Sequence, residues 1–440
     1  MTDFASNLLT RRAALRAAFA GLAGSGMLAG HACAANTDSL DPVNNGNGWP
    51  QFLGPEGTGV VDGNRGVPET WSSTKSIRWR TELPGSGWSS PVHDGTHVYL
   101  SAAIDGESED SAKRLVVQKL DLQSGALVAT FPVFDQLDDR KYPIHSKNSH
   151  ASPTLVIDGG QVIAHFGYQG TAALDFDGKK LWENRELTFP PMHGNGGSPL
   201  VLGDQIVFTC DGAQRPFVAA LDRRDGRVRW RTDRPVDARM KFSFATPAAF
   251  RIDDKLQVIA PGSDCLCGLE PASGKLLWTF ESPGFSVVPK AMRVGDTIVY
   301  CTGFMRPSLI AVDPGSAANG WQAREVWRVK RNVPKTPTPL LDGDGIVMVS
   351  DEGIVSRINA ADGKVVYQKR LGGNFSASPI KVGTRIFLPA ESGETTVIRS
   401  GNAYEKLATN DLGERTFATF AVVQDDLIVR TQQALYRIGS

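Results

Sequence analysis

A Ser-Pro or Thr-Pro pair recurs along most of this 440-residue chain, each time directly before a short apolar stretch. Because proline cannot donate a hydrogen bond to a sheet ladder, each pair fits only the start of a strand. From the first such proline to the last there are 288 residues in six intervals, or 48 per repeat, which predicts a β-propeller. The pairs are Ser90-Pro91, Ser152-Pro153, Ser198-Pro199, Thr246-Pro247, Thr338-Pro339 and Ser378-Pro379, with Val288-Pro289 in the remaining position.

The repeat that begins at Ser198 is the clearest example of the predicted unit. It contains four apolar stretches, at 199–202, 205–209, 217–222 and 228–231. Gly203-Asp204 and Asp225-Gly226 supply tight turns between them. Each repeat is therefore predicted to form one four-stranded antiparallel blade.

The last repeat lacks a fourth strand pattern, because the chain stops after 434–438. A lone fourth-strand pattern lies at the other end of the array, at 76–83. Pairing it with the C-terminal strands would remove two open sheet edges. We therefore predict an all-β, eight-bladed propeller over residues 76–440, closed by this N-terminal strand and preceded by an extended arm at 36–75.

Residues 1–35 have the pattern of a twin-arginine-type export signal. Arg11 and Arg12 precede a weakly apolar stretch at 17–30, and small residues flank Cys33. Gly30 and His31 disfavour lipidation at that cysteine. We expect a periplasmic or otherwise exported protein, with no other apolar run long enough to span a bilayer.

Composition excludes some partners and offers no common catalytic motif. The formal net charge is zero, which gives no electrostatic reason for binding nucleic acid. Cys210, Cys265, Cys267 and Cys301 lie in strand patterns, where free cysteine packs as a small hydrophobe. The chain has no Walker loop, nucleophile elbow or Cys-x-x-Cys-His haem motif. We expect a monomer.

Two segments, 220–230 and 268–278, resemble the Ala-x-Asp-x-x-Thr-Gly-x-x-x-Trp docking motif of pyrroloquinoline-quinone-like propeller repeats. The segments 49–55, 87–91 and 145–153 further resemble an exported bacterial group of that family. The resemblance covers roughly residues 48–440. It implies a propeller related either to quinone-dependent alcohol dehydrogenases or to the propeller subunit of the outer-membrane β-barrel assembly machinery.

The same resemblance implies a possible cofactor, pyrroloquinoline quinone with calcium. The family's dehydrogenases hold it with adjacent cysteines and a Glu/Asn/Asp calcium set, and this chain lacks both in matching context. Trp182, Trp230, Trp278 and Trp327 recur at intervals of 48 or 49 residues. We assign them to packing between blades.

Polar residues gather in the segments just before the first strands and in turns after the second strands, which we expect at the mouth of the central channel. Three lysines of these segments, Lys147, Lys241 and Lys335, would suit an anionic ligand or an acidic partner. His145 and His193 are the best general-base candidates, but they lack metal-ligand spacing, so no metal site is predicted. The candidate binding residues are His145, Lys147, Asn148, His193, Asn195, Asp211, Lys241, Lys335, Asp351 and Arg415.

Three functions remain open from the sequence. The first, which we favour, is a non-catalytic scaffold that binds a protein partner or a small anionic or carbohydrate ligand at the channel mouth. The second is a quinone-dependent alcohol or sugar dehydrogenase. The third is a carbohydrate-acting hydrolase or lyase that uses His145 or His193.

Overall fold

The computed structural model describes residues 48–63, 65–106, 112–136 and 142–440, and the predicted export signal lies outside them. These residues form 33 strands and two short 3₁₀ turns, at Gly167–Gln169 and Ala317–Asn319. Within them, no helix is long and apolar enough to cross a membrane. The four cysteines named above are free and buried.

The described residues form eight sheets, each built on four antiparallel strands as the repeat predicts, and one of them gains a fifth, parallel strand from the N-terminal arm. Strand β1 (Val60–Val61) and strand β2 (Ile77–Glu82) come before the first complete blade. Blade 1 consists of β3 (Val92–His93), β4 (His97–Ile104), β5 (Arg114–Asp121) and β6 (Leu127–Asp135). Blade 2 consists of β7 (Val156–Asp158), β8 (Gln161–His165), β9 (Thr171–Asp175) and β10 (Lys180–Asn184). Blade 3 consists of β11 (Leu200–Leu202), β12 (Gln205–Cys210), β13 (Phe217–Asp222) and β14 (Val228–Asp233). Blade 4 consists of β15 (Ala248–Ile252), β16 (Lys255–Gly262), β17 (Cys265–Leu269) and β18 (Leu276–Glu281).

The remaining strands continue the same order. Blade 5 consists of β19 (Met292–Val294), β20 (Thr297–Cys301), β21 (Leu309–Asp313) and β22 (Arg324–Val329). Blade 6 consists of β23 (Leu340–Asp342), β24 (Gly345–Val349), β25 (Ile354–Asn359) and β26 (Val365–Arg370). Blade 7 is β27 (Ile380–Val382), β28 (Arg385–Pro389), β29 (Glu394–Arg399) and β30 (Lys406–Asp411). Blade 8 begins with β31 (Ala421–Val423), β32 (Asp426–Arg430) and β33 (Ala434–Ile438).

Blade 8 is completed from the other end of the chain. Strand β2 pairs antiparallel with β33, with Arg80 opposite Tyr436 and Glu82 opposite Ala434, so the sheet order is β2-β33-β32-β31. The predicted closure and the count of eight blades are thus confirmed. The first strands of neighbouring blades contact one another, as β3 does β7 and β23 does β27, so they line the centre.

Each recurring tryptophan packs between blades. The indole N–H of Trp230 donates to the Pro271 carbonyl of the next blade at 2.8 Å, and Trp182 makes the same bond to Arg223. A Cβ on Gly226 would lie 2.4 Å from the Trp182 ring, so only glycine allows this approach. The docking motif therefore encodes a contact between neighbouring blades.

The Ser/Thr-Pro phrase also joins blades. Seven hydroxyls accept a backbone N–H from the equivalent position of the preceding blade, at 2.9 to 3.2 Å. We call these side chains the hydroxyl belt: Ser90, Thr154, Ser198, Thr246, Thr338, Ser378 and Thr419. Blade 5 places Lys290 in the eighth position, where its N–H donates to Thr338.

The N-terminal arm fills one end of the central channel with residues 48–61, the channel loop. Trp49 runs antiparallel to His93 of β3, and β1 runs parallel to β27, so the loop enters and leaves by the face opposite the belt phrases. The Pro50 carbonyl accepts the Ile157 N–H at 2.8 Å. Lys290 reaches inward and donates from Nζ to the Gly57 carbonyl at 3.0 Å.

Candidate functional site

A cavity of about 600 Å³ opens at the other end of the channel, which we call the mouth. Segments from all eight blades line it, and Phe52 of the channel loop contributes to its wall. All seven side chains of the hydroxyl belt also line it. Because the belt precedes the first strands, the cavity lies where the sequence places the polar loop segments.

Blades 2 and 3 contribute two histidines that face each other. The rings of His145 and His193 are perpendicular, with centroids 5.8 Å apart. His145 Nδ1 accepts the Lys147 backbone N–H, and the backbone N–H of His145 donates to the His193 carbonyl. Partial burial, with a smaller contribution from His145, lowers the pKa of His193. His193 also has a φ of 63°, a strained backbone conformation.

Both lysines that line the cavity are paired with carboxylates. Lys147 reaches from blade 2 to Glu391 of blade 7, with Nζ and Oε1 2.7 Å apart. Lys335 forms an ion pair with Glu352. Burial would raise the pKa of Glu352, but the Lys335 hydrogen bond and charge outweigh it, and the net shift is downward. Asp351 accepts hydrogen bonds from Thr336 Oγ1 and from the Lys335 N–H.

Blades 4 and 5 form an apolar side, the aromatic wall, which consists of Met240, Phe242, Phe244, Phe285 and Phe304. The ring centroids of Phe242 and Phe285 are 5.6 Å apart, and those of Phe285 and Phe304 are 6.0 Å apart, both edge to face. Phe304 remains 48% exposed. The wall continues onto the rim through Met305, which is 69% exposed.

Six of the ten predicted site residues line the cavity. They are His145, Lys147, Asn148, His193, Lys335 and Asp351.

The other four predicted residues do not line the cavity, each for a physical reason. Asn195 is buried and donates from Nδ2 to the Phe166 carbonyl. Asp211 is buried in a two-bond ion pair with Arg234. Lys241 points to Asp237 on an exposed loop. Arg415 stacks over the Phe417 ring, 5.0 Å from its centroid.

Sequence reasoning missed the aromatic wall and the inward role of Phe52. The predicted site residues are all polar, and the phenylalanines of the same loops are not among them. The available signal was the Phe-Ser phrase at Phe242-Ser243 and Phe285-Ser286, which stands where neighbouring repeats carry polar residues.

The donor groups do not fit a quinone with calcium. A calcium ion needs several free oxygen ligands, but Asp351 already accepts from the Lys335 N–H and the Thr336 hydroxyl, and Glu352 is paired with Lys335. Among the described residues, no group of three His, Cys, Asp or Glu side chains could hold a metal ion.

The eight-bladed fold, the Trp–Gly contact between blades and the belt define a propeller of the pyrroloquinoline-quinone-like class. The family model described as outer membrane protein assembly factor BamB matches residues 53–218, 214–325 and 308–434. The chain belongs to this family. The BamB of Moranella endobia (strain PCIT) is 27% identical over 254 residues, which are 56% of this chain and 61% of that relative. The match therefore covers less than two thirds of the relative's length.

Solved structures are similar in fold at low identity. BamB from Moraxella catarrhalis superposes with a TM-score of 0.56 at 14% identity, covering 82% of this chain and 99% of that one. The quinohemoprotein alcohol dehydrogenase of Comamonas testosteroni gives 0.65 at 12% identity, covering 90% and 81%. These likenesses establish the fold and do not distinguish between a scaffold and a dehydrogenase.

Proposed function

We propose that this chain is an exported, non-catalytic scaffold that holds a segment of a partner protein at its mouth and takes part in outer-membrane protein assembly. The apolar rim formed by Phe304 and Met305 carries the proposal. Family membership and the export-signal pattern of residues 1–35 support it.

The rim is a suitable docking surface because its apolar groups are adjacent and accessible. Met240 is 39% exposed and lies on the same side of the cavity as Phe304. Phenylalanine and methionine are typical of the centres of protein interfaces. The other exposed large apolar residues of the described ranges lie on the outer strands of the blades, at Leu127, Val128, Leu181, Val228, Val326, Val365 and Val366.

The cavity's titratable groups support binding rather than acid–base catalysis. A general base must reach its substrate with a suitable pKa and an oriented side chain. His193 keeps a lowered pKa, and among the described residues no carboxylate bonds to the ring of either His145 or His193. The nearby carboxylates of Glu352 and Glu391 are neutralised by lysines.

The test is complementation of a deletion strain of the source bacterium. Phe304→Asp with Met305→Asp should fail to restore folded β-barrel proteins in the outer membrane, measured by heat-modifiable migration in gels. The matched control is Val365→Asp with Val366→Asp on β26, where the side chains are 55% and 41% exposed. The control should complement fully. Equal complementation by both variants, at equal protein levels, would refute the proposal.

A further inference from the structure

The hydroxyl belt has bonding capacity that the fold does not use. Each belt hydroxyl accepts one backbone N–H, as Ser198 does from Thr154 at 2.9 Å. A hydroxyl has two acceptor lone pairs and one donor hydrogen, so each keeps one of each. Among the described residues, no protein acceptor lies within hydrogen-bond reach of any of these seven O–H groups.

This spare capacity is buried and directed to one place. The belt residues are 3 to 7% exposed, and all seven line the cavity. Buried polar groups require partners, which are either ordered water or a ligand. The belt hydroxyls can each donate one hydrogen bond and accept another, so they are matched by a ligand that carries both hydrogen-bond donors and acceptors.

The charges around the ring favour an uncharged ligand. Lys147 and Lys335 are each bonded to a carboxylate, so an anion would have to displace Glu391 or Glu352. Breaking such a pair leaves the displaced carboxylate without its cation. The ligand that enters deeply is therefore neutral and polar on the side that meets the belt.

The aromatic wall specifies the opposite side of the ligand. Phe242, Phe285 and Phe304 meet edge to face and leave apolar surface towards the cavity. A sugar ring carries hydroxyls around its whole edge and would leave several of them without partners at this wall. A peptide backbone supplies N–H and C=O groups, while one side chain can be apolar.

We propose that the cavity binds an uncharged peptide turn whose backbone bonds to the hydroxyl belt and whose large apolar side chain enters the aromatic wall. This rests on the proposed function and names the chemistry of the partner segment. A cavity of about 600 Å³ is within the usual range for a ligand of a few residues.

The experiment measures binding of N-acetyl-Gly-Gly-Phe-Gly-Gly-amide to the purified full chain by isothermal titration. The same peptide with alanine in place of phenylalanine should bind at least about 10-fold more weakly, from the loss of one large buried side chain. Thr246→Val should weaken binding of the phenylalanine peptide about 5- to 10-fold, as expected for one lost hydrogen bond. Thr246→Ser, which keeps the hydroxyl, should bind like the wild type.

Thr302→Val is the matched control, because Thr302 is a buried hydroxyl that accepts the Ser308 N–H at 3.0 Å but does not line the cavity. It should cost similar stability and leave binding unchanged. Equal weakening by both valine variants, no peptide binding, or binding of an N-acetylglucosamine disaccharide instead would overturn the inference. If the peptide fails to bind while the Phe304→Asp, Met305→Asp variant still fails to complement the deletion strain, the proposed scaffold function stands. In that case only the proposed peptide site inside the cavity is wrong.

Discussion

The two ends of the central channel are built from the same repeat but differ in how deeply their aromatic side chains are buried. At the far end, Trp49 is 2% exposed, and the channel loop is fixed by backbone hydrogen bonds to β3, β7 and β27. At the mouth, Phe304 is 48% exposed, and the two lysines that line the cavity, Lys147 and Lys335, are each held by an ion pair.

The difference shows where stability and recognition are separated. The far end buries large apolar area with its backbone groups paired, which stabilises the fold. The mouth leaves aromatic surface exposed and the O–H hydrogens of the belt without protein acceptors among the described residues, which suits binding. The channel loop connects the two ends, because Phe52 of that loop reaches the cavity wall.

The largest expected effect tests this separation directly. Trp49→Ala should lower the free energy of unfolding by about 3–5 kcal/mol, because it removes a buried indole from a cluster that includes Trp71 and Leu427. Phe304→Ala should cost less than about 1 kcal/mol, because the ring is half exposed. Denaturant midpoints and slopes of the two variants measure the difference. Similar losses would mean that the mouth is as much a part of the folding core as the far end.

A second, smaller effect concerns the lysine that ties the channel loop to blade 5. Burial lowers the pKa of Lys290 to about 8, and among the described residues no acid pairs with its ammonium group. The unfolded lysine titrates near its ordinary pKa, about 10.4. Between these two values the unfolded state binds more protons, so this group makes stability rise with pH.

Lys290→Met removes this titration while keeping an aliphatic side chain. The wild type should therefore gain roughly 2–3 kcal/mol relative to the variant between pH 7 and pH 10. Paired denaturant titrations at the two pH values give the difference, and other titrating groups cancel in it. A constant difference would show that Lys290 is not desolvated and that the loop is not sealed around it.

The sequence predicts the backbone architecture well because the repeat acts at every position. Proline phase, turn glycines and the tryptophan interval each mark one feature of a blade, and the pairing of β2 with β33 follows from a missing strand. The belt's role was not predictable from one phrase, since Ser152 lies in the phrase but Thr154 forms the bond.

The site was predicted less completely for a related reason. Loop position places His145 and Lys335 at the mouth, because both lie in the segments that lead into first strands. Loop position does not give side-chain direction, and so Lys241 turns to Asp237 while its neighbour Phe242 enters the cavity. The path of residues 48–61 through the channel depends on contacts with β3 and β27, which lie far away in sequence.

The smallest expected effect compares two lysines that the sequence treats alike. Lys147 and Lys241 are similarly exposed, and each forms one ion pair, at 2.7 Å and 2.6 Å. Exposed pairs contribute between zero and about 1 kcal/mol, so Lys147→Met and Lys241→Met should each shift the unfolding free energy by less than that. Only Lys147→Met should alter peptide binding, because Lys147 lines the cavity and its loss leaves the Glu391 carboxylate with the Ser376 hydroxyl but without its cation, while Lys241 lies outside the cavity. Titration of both variants with the phenylalanine peptide measures this, and a change with Lys241→Met alone would place the binding surface on the outer loop of blade 4 instead of inside the mouth.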